Sequence, residues 1–244
     1  MILFVLLSIG LTILHMNSYP NTCVVRPPEG ACFDLLTDDE KKLVDDNTVE
    51  VFYKKGEILC KQGSFASKII YLSEGLVKVY LEGSPKNLVL SITPKSNLVG
   101  LSSIYEGNST FQFSVSSYVD SWAKLIDINI FKQLLRQNAA FASKIIDILN
   151  ENTAQAYGRF FCLTRKQLHG RMADIMMCLS ERIFKSLEYE LPLSRSDLGE
   201  LTGMSTESVI RLIKEFKDDK LIEVSGKKIT ILEPKRMRKI SEVG

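Results

Sequence analysis

The sequence predicts an α+β chain in which an antiparallel β-roll is followed by a long helix and then by a compact helical unit closed by a hairpin. Three observations predict it. Residues 49–83 break into short β-branched and aromatic runs separated by Gly56, Gly63, Gly75 and Gly83, the pattern of many short antiparallel strands. Residues 129–162 switch to apolar side chains at helical spacing. Residues 191–232 hold two short capped helical patterns and an alternating run that folds back on itself.

With 244 residues, 45% hydrophobic and 25% charged, the chain can bury ordinary cores in one or two domains. A net charge of +2 gives no whole-chain signal for nucleic acid, so any surface for a polyanion must be local. Residues 163–244 carry 16 Lys or Arg against 13 Asp or Glu, and residues 1–162 carry 15 against 16. The basic excess therefore sits at the C-terminal end. Cys23, Cys32, Cys60, Cys162 and Cys178 form no CxxC pair, and a chain with a self-sufficient core predicts no disulfide framework. His15 and His169 cannot build a zinc centre without scattered cysteines, so neither a metal nor a cofactor is expected.

The first fourteen residues, MILFVLLSIGLTIL, are nearly all apolar, and the first Lys or Arg is Arg26. A membrane span takes roughly 20 apolar residues and a signal peptide begins with basic residues; neither fits, and no membrane association is expected. Residues 1–15 read as an apolar extension ahead of a translation start at Met16.

Taken in order, residues 35–46 read as a short helix, with Thr37 as cap and Glu40 completing a capping box. Strands follow over 49–83, 88–93, 111–117 and 122–128. On the helical stretch, Ile145, Leu149, Asn152, Ala156 and Phe160 recur every three or four residues and make one stripe. Such a stripe can pack on the chain's own roll or face an identical helix, with Asn152 setting register.

In residues 191–232, Ser194 and Asp197 predict a capping box opening a helix that ends near Thr202, with Gly203 in the turn. Ser205 caps a second helix, and Met204 with Val209 forms a hydrophobic staple across that cap. Val209, Leu212, Ile213 and Phe216 share one face of this helix; Thr206, Glu207, Ile210, Arg211 and Lys214 share the other. Two short helices joined by a glycine turn form a helix-turn-helix, whose second helix enters the major groove of double-stranded DNA with its N-terminal residues on base edges. A guanidinium such as that of Arg211 matches the acceptors of guanine, and a carboxylate such as that of Glu207 matches the cytosine amine. Leu221 to Leu232 reads as a hairpin turning at Ser225 and Gly226, with Lys227 and Lys228 just beyond. That hairpin is a wing, and its lysines are candidates for phosphate. Ser194 and Arg195, at the start of the first helix, and the cap Ser205 complete the candidate set.

Residues 54–80, KKGEILCKQGSFASKIIYLSEGLVKVY, resemble the opening of a cyclic-nucleotide-binding β-roll. Residues 193–216, LSRSDLGELTGMSTESVIRLIKEF, are similar to the helix-turn-helix of Crp/Fnr transcription regulators, and the resemblance runs from about residue 33 to 234. Glu207 and Arg211 match the spacing of the family's recognition helix; Thr206 and Ile210 depart from it, which leaves the preferred DNA sequence open. The resemblance implies a cytoplasmic homodimer on an inverted DNA repeat, partnered by RNA polymerase and governed by a small-molecule effector. It divides the chain into an effector roll (16–128), a dimerisation helix (129–162) and a winged helix-turn-helix (163–244).

In cyclic-AMP-binding relatives a Gly-Glu pair and an Arg-Ser or Arg-Thr pair hold the ribose and phosphate. This chain has Gly100-Leu101 and no arginine between Gly100 and Trp122, which predicts an unknown effector other than cyclic AMP or cyclic GMP. Gly100, Leu101, Ser102, Ser103, Thr110, Phe111 and Gln112 are its candidate pocket, suited to a neutral ligand. Cys23, Cys32 and Cys60 fall short of the four thiolates an iron–sulfur cubane takes. Two other classes stay open at this point: a cyclic-nucleotide-regulated subunit of a kinase or channel, and a cupin-like metal enzyme, which would need clustered histidines.

Overall fold

The computed structural model describes residues 23–27, 32–84 and 86–244. The apolar residues 1–15, the expected start at Met16 and His15 lie outside the described residues. A 3-10 turn (Cys32–Leu35) leads to α1 (Asp38–Asp46). Thr37 starts this helix as expected: its hydroxyl accepts from Glu40 N at 3.3 Å, and the Glu40 carboxylate accepts from Thr37 N at 2.9 Å. Such a cap contributes about 1 kcal/mol.

Eight strands follow: β1 (Thr48–Tyr53), β2 (Ile58–Cys60), β3 (Lys68–Glu74), β4 (Leu76–Leu81), β5 (Leu88–Pro94), β6 (Asn97–Val99), β7 (Ser114–Ser117) and β8 (Ser121–Asp127). They form two antiparallel four-stranded sheets, ordered β1-β8-β3-β6 and β2-β7-β4-β5. The strand expected over 111–117 is shorter, because Phe111 leaves the sheet to fill the core. Strand periodicity explains the roll's two cores. Ile70 and Leu72 of β3 turn inward to Val77, Val79 and Val115 of the other sheet. Ile69 on the same strand, with Leu98 and Ile126, turns outward to the helices. At Gly75, where β3 passes into β4, φ is 107° and a Cβ would collide with Ser121, so only glycine fits.

The helical stretch expected as one unit is two helices, α2 (Ile128–Gln137) and α3 (Ala139–Arg165). Asn138 separates them. Its side-chain oxygen accepts from Phe141 N at 2.9 Å to cap α3, while its amide donates to Leu35 O at 3.0 Å and Glu40 Oε2 at 2.9 Å. Phe131 and Phe141 pack edge to face, centroids 5.4 Å apart, in the core that also takes Ile145 and Ile148; each such side chain contributes roughly 1.5–3 kcal/mol on burial.

This packing divides the stripe of Ile145, Leu149, Asn152, Ala156 and Phe160 between the chain's own core and the surface. Ile145 is buried inside its own chain, Leu149 packs partly on the same core, Asn152 is half-buried, and Ala156 and Phe160 are exposed. The sheet takes the 141–145–148 edge of the helix, and Phe160 of the stripe joins Ile146 and Tyr157 in an outward apolar face, exposed by 71%, 57% and 69%.

The C-terminal unit comprises α4 (Leu168–Cys178), a π-helical turn (Leu179–Phe184), β9 (Glu188–Glu190), α5 (Arg195–Thr202), α6 (Thr206–Asp218), β10 (Ile222–Ser225), β11 (Lys228–Ile231) and α7 (Pro234–Val243). Its core is continuous with Leu76, Tyr80, Val89 and Ile92 on the outer face of β4 and β5. Arg159 of α3 seals the junction: the buried guanidinium donates from Nε to Val89 O at 2.9 Å and from Nη2 to Leu201 O of α5.

One expectation about cysteine is corrected. Cys23 is disulfide-bonded to Cys178 at the end of α4, with Cα atoms 5.6 Å apart. The partners lie 155 positions apart and meet because the segment before the roll crosses β5 onto α4, which no spacing rule shows. Cys32, Cys60 and Cys162 are buried.

Candidate nucleic-acid interface

Ser194 and Asp197 form the expected reciprocal cap of α5: Ser194 Oγ accepts from Asp197 N at 3.1 Å and Asp197 Oδ2 accepts from Ser194 N at 2.8 Å. Gly203 then takes the left-handed conformation, φ 68°, that turns the chain into α6. Ser205 Oγ accepts from Ser208 N at 3.1 Å and caps α6. Met204, Val209, Leu212, Ile213 and Phe216 are buried with Leu198 and Leu201, which fixes the rotation of α6 about its axis.

That rotation leaves Glu207, Ile210, Arg211 and Lys214 exposed on one face, with Thr206 half-buried at its start. Ile210, 54% exposed, is an apolar tip of the kind that meets a thymine methyl. Glu207 is held below the usual carboxylate range, first by its own backbone N–H and then by the Ser205 hydroxyl, so it stays a charged acceptor. Glu207 does not brace Arg211, as the helix spacing allowed. Arg211 Nε instead lies 3.7 Å from Glu215 Oε1, and Glu215 Oε2 lies 2.9 Å from His169 Nε2. Glu215 was not singled out from the sequence, although its position four residues beyond Arg211 is the same i,i+4 signal. Arg195 is half-buried at the start of α5.

The hairpin of β10 and β11 pairs Ser225 with Lys228, so the turn residues are Gly226 and Lys227, one position later than the sequence predicts. Both lysines are exposed. Lys228 Nζ lies 2.6 Å from Glu188 Oε1 on β9, a strand that the sequence reading did not include.

Residues 170–240 match the Crp-like helix-turn-helix domain, and residues 50–138 match the cyclic nucleotide-binding domain. The transcriptional activator protein Anr of Pseudomonas protegens is 26% identical over 188 residues, 74% of this chain and 75% of its own length. The chain belongs to the Crp/Fnr family. The fold agrees. FixK2 of Bradyrhizobium japonicum superposes with a TM-score of 0.72 at 18% identity, over 79% of this chain and 96% of its own. A CooA mutant from Carboxydothermus hydrogenoformans gives 0.71 at 16% identity, over 91% and 99%. As a Crp/Fnr regulator the protein is a sequence-specific DNA-binding transcription factor, and α5 and α6 are its helix-turn-helix.

The Crp/Fnr roll contains a cavity of about 310 Å³ against α3. Val79, Leu98, Phe113 and Leu149 give it apolar walls, and Ser91, Ser102, Asn152, Thr153 and Gln155 add polar groups. Ser102 Oγ is buried there without a hydrogen-bond partner among the described residues. Of the expected pocket, Gly100, Leu101 and Ser102 line this cavity, whereas Ser103, Thr110, Phe111 and Gln112 do not. Those four build the adjoining loop: Ser103 Oγ donates to Thr110 O at 3.1 Å, Gln112 Nε2 donates to Asn108 Oδ1 at 3.0 Å, and Phe111 fills the inter-sheet core. Arg26 reaches the cavity from the segment before the roll and donates to Leu98 O at 2.9 Å. Arg26 comes from the segment before the roll and Asn152 and Gln155 from α3 beyond it, so no local motif brings the three together.

Among the described residues no helix is long and apolar enough to cross a membrane, and no three His, Cys, Asp or Glu side chains gather as metal ligands.

Proposed function

We propose that the protein works in the cytoplasm as a homodimer on an inverted DNA repeat, with half-sites about 34 Å apart. In this reading Glu207, Ile210 and Arg211 contact bases. Ser194, Arg195, Ser205, Lys214, Lys227 and Lys228 position the phosphate backbone, Thr206 flanks the reading end, and RNA polymerase is the protein partner. The observation that carries it is the orientation of α6: its apolar face is locked in the core, so Glu207, Ile210, Arg211 and Lys214 face outward together. The outward apolar face Ile146, Tyr157 and Phe160 of α3 supports dimerisation through the helix that joins the roll at 16–128 to the DNA-binding unit at 163–244. The family's proteins are transcription regulators, and no catalytic role is assigned.

The effector in this proposal is a small molecule other than cyclic AMP or cyclic GMP. The described lining of the roll cavity has no carboxylate to accept from a ribose hydroxyl, and its one arginine, Arg26, lies outside the Gly100–Trp122 segment. Selection from a random duplex pool, followed by footprinting, tests the DNA reading; protection of two symmetric half-sites is expected, and protection of a single half-site by a monomer would overturn it. Calorimetry with cyclic AMP tests the effector reading, with no heat of binding expected at micromolar nucleotide.

A further inference from the structure

The loop between β4 and β5 carries the roll to the foot of the helix-turn-helix, and its shape is fixed by its own contacts. Glu82 N donates to Gln62 Oε1 at 2.8 Å, Gly83 N donates to Asn87 Oδ1 at 3.3 Å, and a Cβ at Gly83 would lie 2.8 Å from Lys86 O. Lys86 projects from this turn, and its Nζ donates to Met204 O at 3.1 Å. Met204 immediately precedes Ser205, the cap of α6. The roll thus sets one ammonium group beside the end of the recognition helix that meets DNA, while Glu207, Ile210, Arg211 and Lys214 stay exposed.

A gap of about 290 Å³ opens at this point, lined by Gly83, Lys86 and Asn87 of the roll and by Ser196, Glu200 and Thr206 of the helix-turn-helix. Lys86 is exposed; its ammonium has three donors and gives one of them to a neutral carbonyl. The neighbouring carboxylates are engaged elsewhere. Glu200 Oε2 lies 2.7 Å from Lys78 Nζ, Glu82 Oε1 accepts from Ser114 Oγ at 2.6 Å, and Glu207 is held by its own backbone N–H and the Ser205 hydroxyl. Ser196 and Thr206 bring a hydroxyl each to the same lining. The gap therefore offers a positive charge and two hydroxyl donors to an acceptor that enters from solvent.

We propose that this gap takes a backbone phosphate of DNA, held by Lys86 of the roll together with Ser196 and Thr206, so that the DNA-binding surface spans both halves of the chain. The inference rests on the reading that α6 enters the major groove. Phosphate oxygens are acceptors only, and Lys, Ser and Thr side chains are among their usual partners. Docking of α6 brings a strand of the duplex to the end of the helix where Lys86 stands, which favours a phosphate of that strand over a free ion. Contacts of this kind fix the register of a protein on the duplex and carry no sequence information. A lysine that served only to peg the loop to Met204 would leave the salt dependence of DNA binding untouched, because no counterion release would depend on it.

The test uses the full chain. Duplexes enriched from a random pool by wild-type protein are titrated at several salt concentrations with wild type, Lys86→Gln, Lys86→Arg and Lys42→Gln, the last removing the same charge from exposed α1. Loss of one phosphate contact makes the salt slope shallower by about 0.9, which is about eightfold in affinity at roughly 0.1 M salt. Lys86→Gln is expected to show both effects on enriched and random duplexes alike, with the ratio between them unchanged. Lys86→Arg and Lys42→Gln are expected to match wild type. Ethylation of backbone phosphates gives a direct readout: one phosphate in each half-site is expected to weaken wild-type binding when ethylated and to have no such effect on Lys86→Gln, a pattern that a free phosphate ion in the gap would not produce. A wild-type salt slope or an unchanged ethylation pattern in Lys86→Gln overturns the proposal. A pool that enriches no duplex counts against base reading by α6; the salt comparison on random-sequence duplex then still decides the role of Lys86.

Discussion

Lys78 of β4 and Glu200 of α5 form an ion pair across the junction between the roll and the helix-turn-helix, Nζ to Oε2 2.7 Å. Both side chains are largely buried, and Asp197 Oδ1 lies 4.0 Å from the same ammonium. Removing one partner leaves the other charge poorly solvated, at a cost of about 1.5–3 kcal/mol for a charged hydrogen bond. Lys78→Met and Glu200→Gln are each expected to lower the unfolding free energy by roughly this much. The double variant should lose clearly less than the sum of the two singles. Urea denaturation of the four proteins checks this, and strictly additive losses would show the pair to be uncoupled.

Arg211→Ala is expected to cost roughly 1–3 kcal/mol in specific binding and to relax preference at one base pair per half-site. Arg211 Nε lies 3.7 Å from Glu215 Oε1 with the guanidinium largely exposed, so the side chain is available for that contact. Lys214→Ala should weaken specific and random duplexes alike and reduce the salt slope by about 1. Fluorescence anisotropy at several salt concentrations separates the two. Equal weakening of all sequences by Arg211→Ala would make Arg211 a phosphate contact instead.

The outward face of α3 predicts where a dimer comes apart. Tyr157→Glu combined with Phe160→Glu places charges on an apolar surface that is exposed in the single chain, so the fold should persist while association fails. Light scattering at micromolar concentration is expected to give the monomer mass. Ile145→Ala, by contrast, opens a cavity in the core of its own chain and should cost about 2–5 kcal/mol of stability with the dimer retained. Exchange of these two outcomes would assign the faces the other way round.

Stability should fall in alkali. Burial pushes the Cys60 thiol up to about 12 and the Cys162 thiol up to about 11, from an ordinary 9.0. The folded state therefore holds these protons where the unfolded chain has released them. The contribution is fully present below about pH 9 and is lost as pH rises through 11 to 12. Each thiol contributes a slope of up to about 1.4 kcal/mol per pH unit within that window. Urea midpoints of the wild type and Cys60→Ala from pH 8 upward give the measurement; an unchanged slope in the variant would remove Cys60 from the account.

Local chemistry made the helix starts legible: Thr37 with Glu40, Ser194 with Asp197, and Ser205 each announce a cap in neighbouring residues, and each caps as read. The exposed face of α6 was legible for the same reason, since its apolar residues recur every three or four positions. Contacts between distant segments were not. Ile145 and Phe160 share a sequence pattern, and only the position of the roll decides that one is buried and the other exposed. Arg26 and Gln155 reach the roll cavity from opposite ends of the effector half, and β9 pairs with a strand beyond the whole helix-turn-helix. Asn138 was a possible cap by residue type, but its second role, joining Leu35 and Glu40, depends on a helix a hundred residues away.

The placement of β9 bears on DNA that the protein never touches. Tyr189 of β9 pairs with Ile229 of the wing, and its hydroxyl donates to Met176 O of α4 at 3.1 Å. The wing is thereby tied to α4, whose core also takes the apolar face of the reading helix, so in the proposed complex the two act as jaws of one clamp. A clamp that does not adjust leaves the duplex to do so, by changing groove width or bending between the two contacts. In that complex, base steps that deform cheaply, such as TA and CA, would be favoured at positions no side chain reaches, so that part of the operator's sequence would be selected by its mechanics.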